Sequence, residues 1–142
     1  MTAKETVAYI ESHGWSTSRT GLARTKELLD RIGNPQEKLK FIHVAGSNGK
    51  GSTCAMLDSI LRAAGYKVGL YTSPYIEEFN ERIKLNGENI PDDALIALNA
   101  GMMNHFEDMT EHPSQFEMIT ALGMEYFARE NCDIVILEVG LG

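Results

Sequence analysis

The chain has 142 residues, the length of one ordinary domain, with 43% hydrophobic residues and a formal net charge of −7. That is enough apolar material to bury a core without disulfides, and the acidic balance argues against a nucleic-acid partner, because phosphate backbones attract basic surfaces. The two cysteines, Cys54 and Cys132, make neither a disulfide framework nor a zinc site, so a reducing, cytoplasmic compartment fits. Met1 to Ile10 lacks the continuous apolar run of a signal peptide, and no stretch of about 18 apolar residues predicts a membrane span.

Thr2 to His13 reads as an amphipathic helix with Val7 and Ile10 on one side and Gly14 as its stop. Gly21 to Ile32 reads as a second, with Leu22, Leu29 and Ile32 on one face, ended by Gly33-Asn34-Pro35. Phe41 to Ala45 suits a buried strand. Gly46 to Gly51 is a glycine-rich loop, and Ser52 to Ala64 a helix with Met56, Leu57, Ile60, Leu61 and Ala64 at helical spacing. Val68 to Tyr71 reads as a further strand. Residues 41 to 71 thus form a βαβ unit, which predicts a parallel sheet and an α/β fold.

Thr72 to Arg82 is polar, contains Ser73-Pro74, and reads as a long loop. Ile83 to Ile90 reads as a hairpin about Asn86-Gly87, the strongest short turn signal. Pro91-Asp92-Asp93 opens a helix running to about Asp108, with Leu95, Ile96, Met102, Met103 and Phe106 on its apolar face. Ser114, with Glu117 three residues on, has the pattern of a capping box. The helix it opens runs to about Glu130 and carries Phe116, Ile119, Leu122, Tyr126 and Phe127. Asp133 to Val139 is a continuous apolar run, as in a strand covered on both faces. The apolar strand pattern runs almost to Gly142 and ends in a glycine-rich turn, so the sequence is expected to be part of a longer protein.

Gly46, Ser47, Asn48, Gly49, Lys50, Gly51, Ser52 and Thr53 follow a predicted strand and open a helix, the layout of a phosphate-binding loop. Glycines let backbone N–H groups turn inward around an anion, and the helix N-terminus adds partial positive charge. Lys50 supplies a full charge to the β- and γ-phosphates, and Ser52 and Thr53 bring hydroxyls near phosphate and metal. The loop departs from the usual G-x-x-x-x-G-K-[ST] pattern. Gly51 follows the lysine where Ser or Thr is usual, and Gly46 stands one place late. The competing reading is a strand-to-helix turn with an incidental lysine.

After Asp133, Glu138 is the one charged residue of the apolar strand run, near its carboxyl end. Ligands of a parallel sheet gather at that edge, which puts Glu138 in place for a Mg²⁺ ion carried by phosphates. A solvent-facing carboxylate is the competing reading. Ser73, just after another strand, reaches the same edge by the same argument, although Ser-Pro after a strand is often only a turn. The four histidines show no metal-ligand spacing, and the methionines read as core filler.

His43 to Thr53 resembles the phosphate loop of folylpolyglutamate synthases and dihydrofolate synthases, in which glycine after the lysine is characteristic. Tyr71 to Tyr75, followed by Glu81-Arg82-Ile83, resembles that family's Ω-loop. Phe116-Glu117 with Thr120-Ala121 resembles its next block, Asp133 to Gly142 its Glu-Val-Gly-Leu-Gly segment, and Gly21 to Arg24, more loosely, its N-terminal block. Tyr75 stands where the family often has His. The Mur ligases of cell-wall synthesis are the wider relatives, but they usually place Thr or Ser where Gly51 stands.

The resemblance implies a P-loop-containing three-layer α/β domain with a mostly parallel sheet, like the central domain of Mur ligases. Residues 1–142 would be its incomplete N-terminal, ATP-binding part, with the glutamate-binding domain beyond Gly142 and no full reaction by this part alone. The implied activity is ATP-dependent addition of L-glutamate to a tetrahydrofolate or a dihydropteroate through an acyl phosphate, in folate biosynthesis and one-carbon metabolism. ATP and Mg²⁺ are the implied cofactors. Lys50 and the loop backbone would hold the phosphates, Ser73 and Glu138 the metal, and Gly21, Leu22, Tyr75, Arg82, Ser114 and Phe116 the acceptor substrate. The partners implied are small molecules, with no membrane or nucleic acid and a monomer at full length. The alternatives are a Mur-type amino-acid ligase and a P-loop protein that binds nucleotide without making a covalent product.

Overall fold

The computed structural model describes residues 1–14, 23–45, 49–72 and 77–138, and of Lys50 the backbone alone. The chain divides into two compact units, Met1–Glu37 with Asp92–Tyr126, and Lys38–Pro91 with Phe127–Gly142.

The first unit is helical. Helix α1 (Ala3–Glu11) opens with a reciprocal cap: Thr2 Oγ1 accepts from Glu5 N at 3.1 Å, and Glu5 Oε1 accepts from Thr2 N at 2.9 Å. It buries Thr6 and Ile10, while Val7, expected beside Ile10, is only half-buried. Helix α2 (Ala23–Arg31) buries Leu28; of the predicted face, Leu29 and Ile32 are half-buried and Leu22 lies outside the described residues. At 100° of turn per residue only one of the adjacent leucines 28 and 29 faces fully inward. Gly33 and Asn34, with φ of 90° and 53°, end the helix in the left-handed region, and Pro35 opens a short 3-10 turn.

Helix α4 (Asp92–Asp108) has the predicted extent and buries Leu95, Leu98, Asn99, Met102 and Phe106, with α1 packed against it. Helix α5 (Gln115–Arg129) starts at the predicted cap. Glu117 N donates to Ser114 Oγ at 3.2 Å, and Ser114 N donates to Glu117 Oε1 at 2.8 Å. Most of α5 is buried, but Phe116, counted with its apolar face, is 40% exposed. It shares an i, i+4 line with the half-buried Thr120, at the edge of the buried face.

The second unit holds the sheet, in the order β1-β5-β2-β3-β4. Strands β1 (Phe41–Val44), β5 (Ile134–Glu138) and β2 (Val68–Tyr71) run parallel, and β2 then pairs antiparallel with β3 (Ile83–Leu85) of the expected hairpin, which returns through β4 (Glu88–Asn89). Asn86 and Gly87, with φ of 49° and 83°, make its turn. The predicted loop 72–82 contains a 3-10 turn, Phe79–Arg82, because the Glu81 carboxylate accepts from the backbone N–H groups of Glu77 and Glu78 and closes it.

Strand β1 is not the buried strand expected. It lies at the edge of the sheet among the described residues, and Phe41 is 39% exposed. Helix α3 (Lys50–Ala63) begins two residues earlier than predicted, and it turns a different face inward. Cys54 and Asp58 are buried and Leu57 and Leu61 half-buried, whereas Met56 and Ile60 are 62% and 61% exposed. Cys54 joins Val68, Leu70 and Ile136 in the core between α3 and the sheet. Gly69 points to the opposite face, where a Cβ would stand 2.7 Å from the Phe127 ring of α5. Strand β2 is therefore packed on both faces, by α3 residues on one and by the Phe127 ring on the other.

Candidate functional site

Three strands end together. Parallel register pairs Val44 of β1 with Glu138 of β5, and Leu137 of β5 with Tyr71 of β2. The carboxyl ends of β1, β5 and β2 therefore lie along one edge, with Glu138 in the middle strand. Past Val44 the chain continues through Ala45 to the glycine-rich segment, and past Tyr71 it continues through Thr72 to Ser73. The order β1-β5-β2 puts Glu138 between the two strands that lead to those residues. Glu138 is half-buried at the strand end, not sealed in the core.

The glycine-rich segment has a strand before it and a helix after it, as predicted. Gly49 caps α3 in the left-handed region, with φ 76° and ψ 5°. A residue with a Cβ is strained there, so glycine suits it. Thr53 N donates to Gly49 O at 3.0 Å and closes the first turn, which runs from Lys50 and leaves its leading N–H groups without helical partners. Gly51, Ser52 and Thr53 are exposed on that turn. A Cβ at Gly51 would meet nothing within 4 Å, so the chain itself does not require glycine there.

Thr72, last described residue of its stretch, is held by its N–H on Arg82 O at 3.0 Å. Arg82, expected to touch substrate, is 5% exposed, and its guanidinium lies 5.0 Å over the Phe79 ring. In the other unit, Ser114 is buried in the α5 cap, and Phe116 stands exposed one helical position before Glu117. Gly21, Leu22, Gly46, Ser47, Asn48, Ser73 and Tyr75, and the side chain of Lys50, lie outside the described residues.

No trio of His, Cys, Asp or Glu able to hold a metal occurs among the described residues. Magnesium does not need one, because it typically takes one or two carboxylates and completes its shell with water and substrate phosphates. Glu138, half-buried at a strand end, is a single carboxylate of the kind that chemistry uses. Cys54 and Cys132 are buried with no disulfide between them, and burial pushes the Cys132 thiol up to about 11. No described helix is long and apolar enough to cross a membrane.

What the sequence reading missed was the α2–α5 connection. Arg24 Nε lies 3.4 Å from Glu117 Oε1, with side-chain exposures of 14% and 7%, and Thr25 Oγ1 donates to Glu117 Oε2 at 3.3 Å. The Ser114–Glu117 spacing revealed the cap, but nothing in the local sequence showed that the same carboxylate meets another helix.

No protein-family model matches the chain. It is 47% identical to the dihydrofolate synthase/folylpolyglutamate synthase of Bacillus subtilis, over 95% of this chain and 34% of that protein. It is 42% identical to the folylpolyglutamate synthase of Lacticaseibacillus casei, over 100% of this chain and 34% of that protein. Among solved structures it superposes on a folylpolyglutamate synthase complex with AMPPCP and folate at a TM-score of 0.94 and 41% identity, covering 100% of this chain and 36% of that one. A bifunctional folylpolyglutamate synthase/dihydrofolate synthase with Mn, AMPPNP and L-glutamate bound matches at a TM-score of 0.88 and 33% identity, over 100% of this chain and 34% of that one. The chain thus spans about a third of the length of the relatives it matches. Along its whole length and in its fold, the chain is homologous to about a third of the length of folylpolyglutamate synthases and dihydrofolate synthases.

Proposed function

We propose that this chain supplies the ATP-binding part of a ligase that joins L-glutamate to a tetrahydrofolate or a dihydropteroate. Because the chain spans 34% of its relatives, the reaction is assigned to a protein of the relatives' full length. The observation that carries the reading is the Val44–Glu138 register, which sets the acidic strand end beside the strand feeding the phosphate loop. Relatives of the same fold include complexes with AMPPCP and folate and with AMPPNP, Mn and L-glutamate, which supports ATP, a divalent cation, a folate-type acceptor and glutamate as the small molecules handled.

In this reading Gly46 to Thr53 wrap the triphosphate. Backbone N–H groups from the first turn of α3 meet phosphate oxygens, and Lys50 adds a full positive charge. Gly51 leaves that turn bare where the nucleotide approaches. Ser73 and Glu138 hold Mg²⁺, which supplies charge neutralisation on the phosphates when bound. The acceptor carboxylate oxygen then attacks the γ-phosphorus, ADP leaves, and an acyl phosphate forms. The glutamate amine attacks the acyl carbon, loses a proton and expels inorganic phosphate, leaving an amide. This chain's contribution is to fix the phosphoryl group and hold the acceptor in line.

Phe116, with Gly21, Leu22, Tyr75 and Ser114, is assigned to the acceptor side. Arg82, buried over Phe79, acts there by supporting the segment after β2. ATP use and two buried cysteines outside any disulfide favour a cytoplasmic setting. The full-length protein is read as a monomer. The test is turnover by the full-length protein with dihydropteroate and tetrahydrofolate offered separately. Acceptor-dependent ADP release with glutamate incorporation supports the ligase. ATP binding with no covalent product from either acceptor would favour a nucleotide-binding switch.

A further inference from the structure

We propose that Glu117 is a positioning residue for the acceptor substrate, acting through the first turn of α5 and not by contact. The inference rests on the reading that Phe116 and Ser114 face the acceptor. Glu117 is 6% exposed, and its carboxylate does three things at once. Oε1 accepts from Ser114 N at 2.8 Å and lies 3.4 Å from Arg24 Nε, while Oε2 accepts from Thr25 Oγ1 at 3.3 Å. The next backbone N–H, that of Gln115, donates to Gly14 O at 2.8 Å. The start of α5 is therefore tied both to the end of the α1 segment and to the first turn of α2.

A helix cap needs only the reciprocal Ser114–Glu117 bonds. The buried ion pair with Arg24 goes beyond a cap, and its partner comes from a different helix. Arg24 also reaches Glu111 Oε2 at 3.4 Å, so its guanidinium is held from two sides. In the middle of this locked turn stands Phe116, 40% exposed between the buried Gln115 and Glu117. An exposed aromatic ring on a turn whose neighbours are fixed is presented at low conformational cost, as a flat stacking surface for a planar heterocycle. Loosening Glu117 frees the turn, and the ring loses its orientation without any substrate contact being removed.

The test is Glu117→Gln in the full-length protein, which keeps the volume and an oxygen acceptor for Ser114 N but removes the charge that Arg24 meets. The acceptor KM should rise about tenfold, the scale of one charged hydrogen bond, with the ATP KM and kcat changed less than about twofold on that scale. Arg24→Gln should give the same selective effect, and the double variant should be no worse than either single change. Arg24→Gln, at a less buried site, also decides the matter if Glu117→Gln does not fold. An unchanged acceptor KM in Arg24→Gln, or ATP and acceptor KM rising together, overturns the positioning role. If the wild-type protein uses neither folate-type acceptor, the ligase reading falls, and this inference falls with it.

Discussion

Val44 and Glu138 are register partners in adjacent parallel strands, although 93 residues lie between them in the sequence. Neighbouring strands lie about 4.8 Å apart, so the end of β1, which leads to the glycine-rich segment, lies next to the acidic end of β5. This relationship brings the acidic strand end and the strand before the glycine-rich segment to the carboxyl edge of the sheet, where ligands of parallel sheets bind.

The lysine of the loop should matter for chemistry and not for folding. In the full-length protein, Lys50→Ala is expected to lower ATP turnover by at least about a hundredfold, the scale for losing one preorganised charge at a transferring group. Its circular dichroism and melting temperature should stay near wild type. Wild-type turnover would refute the phosphate-loop assignment.

Gly69 is a packing constraint on the sheet. A Cβ there would stand 2.7 Å from the buried Phe127 ring, too close for any ordinary contact. Gly69→Ala should cost about 1–3 kcal/mol by overpacking, read as a lower denaturant midpoint at unchanged slope. Equal stability would show that the Phe127 ring yields without cost.

The cap of α3 should resist substitution for a different reason. Gly49 has open space around it but a φ of 76°. Gly49→Ala is therefore expected to cost about 1–2 kcal/mol from the left-handed backbone alone, and to weaken nucleotide binding by tilting the first turn. Thermal melts with and without an ATP analogue separate the two effects.

Cys132 gives a pH-dependent signature. Burial raises its thiol from 9.0 to about 11, so the folded state keeps a proton that the unfolded chain loses first. Its contribution to stability is full below about pH 9 and is lost as pH climbs towards 11. Denaturant midpoints across that window should fall more for wild type than for Cys132→Ala. Alkylation of Cys132 at pH 8 should be slow in the folded protein and fast in denaturant.

Much of this was legible because local chemistry dictates it. Asn86-Gly87 is a turn wherever it occurs between two apolar runs, and Ser114 with Glu117 caps a helix without help from the rest of the chain. The glycine-rich loop could be read from the strand before it and the helix after it. Helix α3 was harder, since Met56 and Ile60 and also Leu57 and Leu61 make apolar pairs at helical spacing. Which pair turned inward depended on the sheet beneath and on burial of Asp58, whose carboxylate is held by Arg62 at 3.1 Å. The exposure of β1, the Val44–Glu138 register and the Arg24–Glu117 pair all join distant parts of the chain, and no local pattern encodes them.

If Lys50 and Glu138 serve one magnesium–triphosphate, the magnesium dependence of turnover must change when Glu138 loses its charge. ATP turnover by full-length Glu138→Gln should require at least about tenfold more Mg²⁺ for half-maximal rate than wild type, the lower end of what disturbed metal shells show. A magnesium titration that superimposes on wild type would contradict the account.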